Sequence, residues 1–143
     1  MASITSIRAI TNIRNAAFAK LGQTVVKYSC MNVRILDILV RESVIQGFQI
    51  KGNDIIVALM NSEIARQKLK NIRPVSKPSK QVYVRLRVLK HVYARLGVSI
   101  NSLTLISTNS GVTTIAEAVS EGSGGEVLFA ANAFVMESIA LAK

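Results

Sequence analysis

The sequence predicts an α/β (α+β) fold in two small lobes: an N-terminal helix–strand–helix–hairpin and a C-terminal mixed sheet with short helices. Three observations predict it. Apolar residues recur at spacings of three and four in some stretches and form short β-branched runs in others, so helices and strands interleave. Near the midpoint, Arg73-Pro74-Val75-Ser76-Lys77-Pro78-Ser79-Lys80 breaks that pattern with two prolines, each of which removes a backbone donor and holds its predecessor extended. The chain has 143 residues, half of them hydrophobic, enough for one core or for two small lobes. The expected division is 1–72, 73–130 and a C-terminal extension, 131–143.

The elements follow in order. Ile7, Ile10, Ile13, Ala17 and Leu21 share one face of a helix over residues 3–21, with Ser3 or Thr5 at its start and Gly22 at its stop. Residues 24–28 form a strand, and residues 31–45 a second helix with Val33, Leu36, Val40 and Val44 inward and Gly47 at its end. Phe48–Ile50 and Ile55–Leu59 make a hairpin across Gly52 and Asn53. Residues 61–72 are polar, a loop or a short helical turn, and 73–80 are irregular. Residues 81–84 read as a strand, and 85–96 as a helix stopped by Gly97. Residues 103–107 are a strand, and Thr113 or Thr114 caps a short helix to Ser120, with Glu117 in the capping-box position. Residues 121–125 are a flexible turn before a closing strand, 126–130.

Charge narrows the partners. Eighteen Lys and Arg stand against eight Asp and Glu, a formal net charge of +10, which concerns partners more than fold. No acidic residue lies between Glu63 and Glu117, an interval holding Arg66, Lys68, Lys70, Arg73, Lys77, Lys80, Arg85, Arg87, Lys90 and Arg95. That is the footprint of a nucleic-acid surface. One cysteine, Cys30, and one histidine, His91, supply neither a nucleophile–base pair nor a zinc site, and Cys30 is expected to be a small buried hydrophobe. Carboxylates are scattered, and Glu117 with Glu121 reads as an exposed helix face rather than a catalytic dyad. Gly122-Ser123-Gly124-Gly125 lacks the Lys-Ser/Thr and the helix of a phosphate loop. No enzyme activity, cofactor or metal is expected. No apolar run is long enough to span a bilayer, and no membrane partner is expected.

What remains are groups suited to phosphate and sugar. Ser107-Thr108-Asn109-Ser110-Gly111 lies between a strand and a helix start, where hydroxyls, an amide and free N–H groups can meet 2′-hydroxyls and phosphates. Tyr83 and Tyr93 alternate with Arg85, Arg87 and Arg95, allowing stacking beside charge pairing. The same hydroxyls are equally suited to capping the turn, and the same tyrosines to filling the core.

A family resemblance runs through these residues, from about Ile7 to Phe129. Ile13-Arg14-Asn15-Ala16, Tyr28-Ser29, Ile45-Gln46-Gly47-Phe48, Arg73 with Val75-Ser76-Lys77-Pro78 and Val82-Tyr83-Val84, Leu96-Gly97-Val98, Ile106-Ser107-Thr108 with Gly111-Val112, and Gly124-Gly125-Glu126-Val127-Leu128 occur in order. Together they resemble the eighth universal protein of the small ribosomal subunit, of the bacterial and organellar type. The resemblance implies two α/β lobes that bind the central domain of small-subunit ribosomal RNA, with neighbouring small-subunit proteins as further partners. The expected RNA contacts are Arg14, Asn15, Tyr28 and Ser29 in the first lobe. In the second they are Arg73, Ser76, Lys77, Pro78, Lys80, Tyr83, Arg85, Arg87, Ser107, Thr108, Asn109, Ser110, Gly111, Gly124, Gly125 and Glu126.

The chain also departs from the family. Lys27 replaces a proline and Arg95 a glycine; Asn109 stands for a second serine and Ser110 for a common lysine. Residues 131–143 continue past the family's usual end, with Phe134, Val135, Ile139 and Leu141 in a partly helical apolar pattern that suits a protein neighbour. The start, free of acids before Asp37 and carrying Arg8 and Arg14, resembles an organellar targeting peptide as well as a structural first helix. A mitochondrial ribosome is the expected location, with a plastid or the bacterial cytoplasm as the alternative. A free-standing RNA-binding regulator of translation is the alternative function.

Overall fold

The computed structural model describes residues 4–76, 79–96 and 104–130, with backbone alone at 95–96. Ser3, Lys77, Pro78, the stop at Gly97, Leu103 and the extension 131–143 lie outside the described residues. The chain divides into two compact units, one formed by Ser3–Ile72 and one by the chain from Arg73 onward.

The first unit comprises α1 (Ile4–Phe18), β1 (Gln23–Lys27), α2 (Cys30–Arg41), β2 (Ile45–Lys51), β3 (Asp54–Leu59) and α3 (Glu63–Asn71). Its strands form an antiparallel sheet in the order β1-β3-β2. Ile55, Val57 and Leu59 alternate inward along β3, the period-two pattern of a sheet covered on one face. Helix α1 buries Ser6, Ala9, Ile10, Ile13, Ala16 and Ala17.

Both long helices stop earlier than expected, by the same device. Lys20 adopts φ 57° and Ser43 φ 58°. Leu21 N–H then donates to Ala16 O (3.0 Å) and Lys20 N–H to Ala17 O (3.3 Å); Val44 N–H donates to Leu39 O (2.9 Å) and Ser43 N–H to Val40 O (3.0 Å). These paired bonds satisfy the last carbonyls in a Schellman arrangement. As a result Leu21 is half-exposed rather than inward. Val44 is buried, but beyond the helix, and Gly47 lies within β2 beside a β-bulge rather than ending α2. The hairpin turn is as expected, Lys51 pairing with Asp54 and Gly52 at φ 59°. Residues 63–71 form a true helix, started by Ser62, whose hydroxyl accepts from Ala65 N–H.

The second unit comprises β4 (Arg73–Pro74), β5 (Tyr83–Val84), α4 (Leu86–Leu96), β6 (Leu105–Thr108), β7 (Gly111–Thr114), α5 (Ile115–Glu121) and β8 (Gly125–Ala130). Strand β8 is central: it pairs with β4 and β5 on one edge and with β6 on the other, and β7 follows β6. Every described pairing is antiparallel. Val88, Leu89 and Val92 of α4 and Ile115 and Ala118 of α5 pack on Val84, Ile106 and Val127.

Two expectations are corrected here. Residues 73–74 are not irregular, because Arg73 and Pro74 pair with Ala130 and Phe129. The pairing survives the proline because β4 has no second strand partner among the described pairings that would need its missing donor. And Ser107–Gly111 does not lead into a helix. Strand β7 intervenes, so the start of α5 lies at Thr114, whose hydroxyl accepts from Glu117 N–H (3.4 Å).

A left-handed backbone costs a residue with a Cβ about 1–2 kcal/mol relative to glycine, part of which glycine returns through its looser unfolded chain. Lys20→Gly and Ser43→Gly should therefore each raise stability, by about 0.5–1 kcal/mol, in urea unfolding of the full chain.

Candidate nucleic-acid interface

The expected contacts of the second unit gather around β8. Tyr83 and Glu126 are cross-strand partners, as are Glu126 and Ser107. Their chain neighbours Val84, Val127 and Ile106 point into the core under α4 and α5. Successive side chains on a strand alternate, so Tyr83, Glu126 and Ser107 share the sheet face turned away from those helices. Tyr83 is 60% exposed, and its hydroxyl donates to Gln81 Oε1 (2.7 Å). Tyr93 instead lies half-buried against the core. Of the two tyrosines, Tyr93 packs with the core and Tyr83 does not.

Gly124 and Gly125 are not a flexible turn. A Cβ at Gly124 would lie 2.6 Å from Val84 O and 2.8 Å from Leu86 N, and one at Gly125 would collide with the carbonyl of Ser107. It is the protein's own backbone that these glycines admit, and that close approach seats β6 against β8.

Beyond Ser107 the chain turns tightly. Thr108 pairs with Gly111, leaving Asn109 and Ser110 at the tip. The Thr108 hydroxyl accepts from Ser110 N–H (3.2 Å) and donates to Gly111 O (3.2 Å). Gly111 sits at φ 113°, a conformation side chains rarely adopt. Thr108 and Gly111 thus build the turn, while Asn109 and Ser110 are exposed and offer an amide and a hydroxyl outward.

Ser76 and Glu126, expected among the RNA contacts, are both buried. Ser76 is fully buried; its hydroxyl donates to Val127 O (2.6 Å) and accepts from Val82 N–H (2.9 Å). It thereby closes the base of the loop that carries Lys80. Glu126 is 3% exposed. Arg73, Lys80, Arg85 and Arg87 are exposed, as are Lys90, which belongs to the same acid-free interval, and His91 on α4.

In the first unit Asn15 and Tyr28 are exposed. Arg14 is half-buried, its Nη1 donating to Ile72 O (3.4 Å). The Ser29 hydroxyl caps α2, accepting from Asn32 N–H (3.0 Å). Cys30 is exposed at the first turn of α2, not buried. Glu63, held below the ordinary carboxylate value by its hydrogen bond from Gln67, is exposed on α3, away from these groups in sequence. Among the described residues no group of His, Cys, Asp and Glu could hold a metal ion, and no helix is long and apolar enough to cross a membrane.

Known proteins resemble the chain over most of its length. The family model for ribosomal protein S8 matches residues 7–131. The small ribosomal subunit protein uS8 of Acidiphilium cryptum is 37% identical over 123 residues, spanning 83% of this chain and 91% of its own. That of Saccharopolyspora erythraea is 32% identical over 123 residues, spanning 83% and 89%. That of Phytoplasma mali is 36% identical over 121 residues, with the same coverage of 83% and 89%.

The crowding at β8 makes a direct prediction. Gly125→Ala should cost about 1–3 kcal/mol in urea unfolding, the usual range for overpacking, and Ser76→Ala a similar amount through groups left unpaired. Gly22→Ala, where nothing lies within 4 Å of the added Cβ, should be nearly neutral.

Proposed function

The chain belongs to the ribosomal protein S8 family, and from that membership we propose that it is a structural, non-catalytic constituent of the small ribosomal subunit. In this reading it binds the central domain of small-subunit ribosomal RNA and supports assembly and translation. The observation that carries the reading is the β6–β7 turn: its own polar groups are spent in Thr108, and Asn109 and Ser110 are left facing out with both donors and acceptors. Such groups suit 2′-hydroxyls and unpaired base edges better than a charge does, because they discriminate by geometry.

The second unit, 73–130, is the RNA-binding lobe. Tyr83 provides a stacking surface beside the turn, Ser107 and Gly111 frame it, and Gly124, Gly125, Ser76 and Glu126 hold it in place. Arg73, Lys80, Arg85 and Arg87 neutralise phosphates, as Lys77 does on the Ser76–Pro78 segment. Asn15 and Tyr28, backed by Arg14 and Ser29, form a second contact from the lobe 1–72. The location is a mitochondrial ribosome, on the strength of the acid-free start and high hydrophobicity, and the apolar segment 131–143 meets a neighbouring small-subunit protein.

The test compares one specific and one random RNA. Asn109→Ala should weaken binding to the central-domain helix by about 1–3 kcal/mol, roughly five- to 150-fold, while leaving a random RNA of equal length almost unaffected. Equal losses on both would contradict recognition by the turn. Arg73→Ala or Lys80→Ala should instead weaken both RNAs alike and reduce the slope of log affinity against log salt by about one.

A further inference from the structure

We propose that Asn61, at the start of α3, is a site of self-modification: the backbone nitrogen of Ser62 closes on its side-chain amide and converts it to aspartate, assisted by Arg66. The inference is independent of the RNA-binding reading and concerns the first unit alone. Asn-Ser occurs at Asn61, Asn101 and Asn109, and Asn101 lies outside the described residues. An asparagine followed by a small residue is open to attack on its side-chain carbonyl by the next backbone nitrogen, a reaction between groups the chain already holds together. The rate then depends on whether that nitrogen is free and that carbonyl polarised.

Asn61 and Asn109 differ in both respects. At Asn109 the attacking nitrogen is engaged, since Ser110 N–H donates to Thr108 Oγ1 (3.2 Å), and no group among the described residues donates to the Asn109 side chain. At Asn61 the reverse holds. Ser62 is the N-cap of α3, and its carbonyl accepts from Arg66 N–H (3.0 Å). Its own N–H has no partner among the described residues. Arg66 Nη2 donates to Asn61 Oδ1 at 2.6 Å, a short charge-assisted bond from a side chain only 19% exposed. A cation positioned on a carbonyl oxygen stabilises the negative charge that develops there as a nucleophile adds. Asn61 itself is exposed, so water reaches it and the leaving group escapes.

Ser62 N bonds to Asn61 Cγ, its proton passes to Nδ2, and the Cγ–Nδ2 bond breaks. Ammonia leaves and a cyclic imide remains. Water then reopens the ring. Entry at Cγ, the carbon that Arg66 polarises, leaves a normal aspartate; entry at the backbone carbonyl leaves isoaspartate. One water is consumed for each ammonia released, and nothing is oxidised or reduced. The new carboxylate meets Arg66 and the positive end of α3, both of which favour it.

The experiment follows the full chain by peptide mass spectrometry during incubation in neutral buffer, folded and in urea. In the folded chain Asn61 should convert roughly tenfold or more faster than Asn109; in urea the two should convert at similar rates. Arg66→Gln should slow Asn61 in the folded chain by roughly tenfold, less than the loss of a donor from a buried oxyanion site, with circular dichroism unchanged. If that variant does not fold, the comparison of Asn61 with Asn109 in the unsubstituted chain decides alone. Asn61 converting no faster than Asn109 in the folded chain would overturn the proposal. So would a folded Arg66→Gln chain that converts as fast as before or faster, since Arg66 would then restrain the amide rather than activate it.

Discussion

The second unit depends on one steric constraint: β8 runs between two neighbours with no room for a side chain where it enters the sheet. Gly124 sits against the backbone of Val84 and Leu86, and Gly125 against Ser107. These contacts join segments that are far apart in sequence, and each then fixes something near the turn. On one edge, β5 brings Tyr83 beside Glu126, and Ser76 ties Val82 to Val127. On the other, Ser107 is held where β6 must turn back into β7. A hairpin of two four-residue strands has little stability alone; docked on β8, it presents Asn109 and Ser110 in one geometry without waiting for a ligand. Preorganisation of this kind lowers the ordering cost of binding.

Charge and geometry divide the work in the proposed reading. The acid-free interval attracts a polyanion without selecting one, since phosphates carry no sequence information. The turn is uncharged and gains nothing from long-range attraction, but its hydrogen bonds have fixed directions.

How much of this was legible depended on what each element rests on. Helices α1 and α4 were visible because their buried residues recur at helical spacing; α2 was expected, but it buries Ile35, Leu36, Ile38 and Leu39 rather than Val33 and Val40; the Gly52-Asn53 turn was visible because glycine supplies its backbone conformation. Helix α3 was not, since Ala65 and Leu69 alone face inward and leave almost no apolar period. The stops of α1 and α2 were misplaced because Lys20 and Ser43 adopt a conformation that glycine usually supplies. Strand β7 was hidden because Thr113 and Thr114 suit a strand and a helix cap equally, and Thr114 does both. At the site, Asn109 and Ser110 were placed in a loop, but one leading to a helix rather than a hairpin turn, and Ser76 reads in sequence as any polar loop residue. Only its bonds to Val82 and to distant Val127 show it to be a latch. Gly124 and Gly125 read as flexibility for the same reason: what crowds them lies far along the chain.

The central claim is that the turn is built before RNA arrives, by its seat on β8. Amide hydrogen exchange on the free full chain tests it most directly. The account predicts that Leu105–Thr108 and Gly111–Thr114 are protected to nearly the same degree as β8 itself, and that Gly125→Ala releases them together. Fast exchange across residues 105–114 in the free protein, becoming slow only when RNA is added, would contradict it.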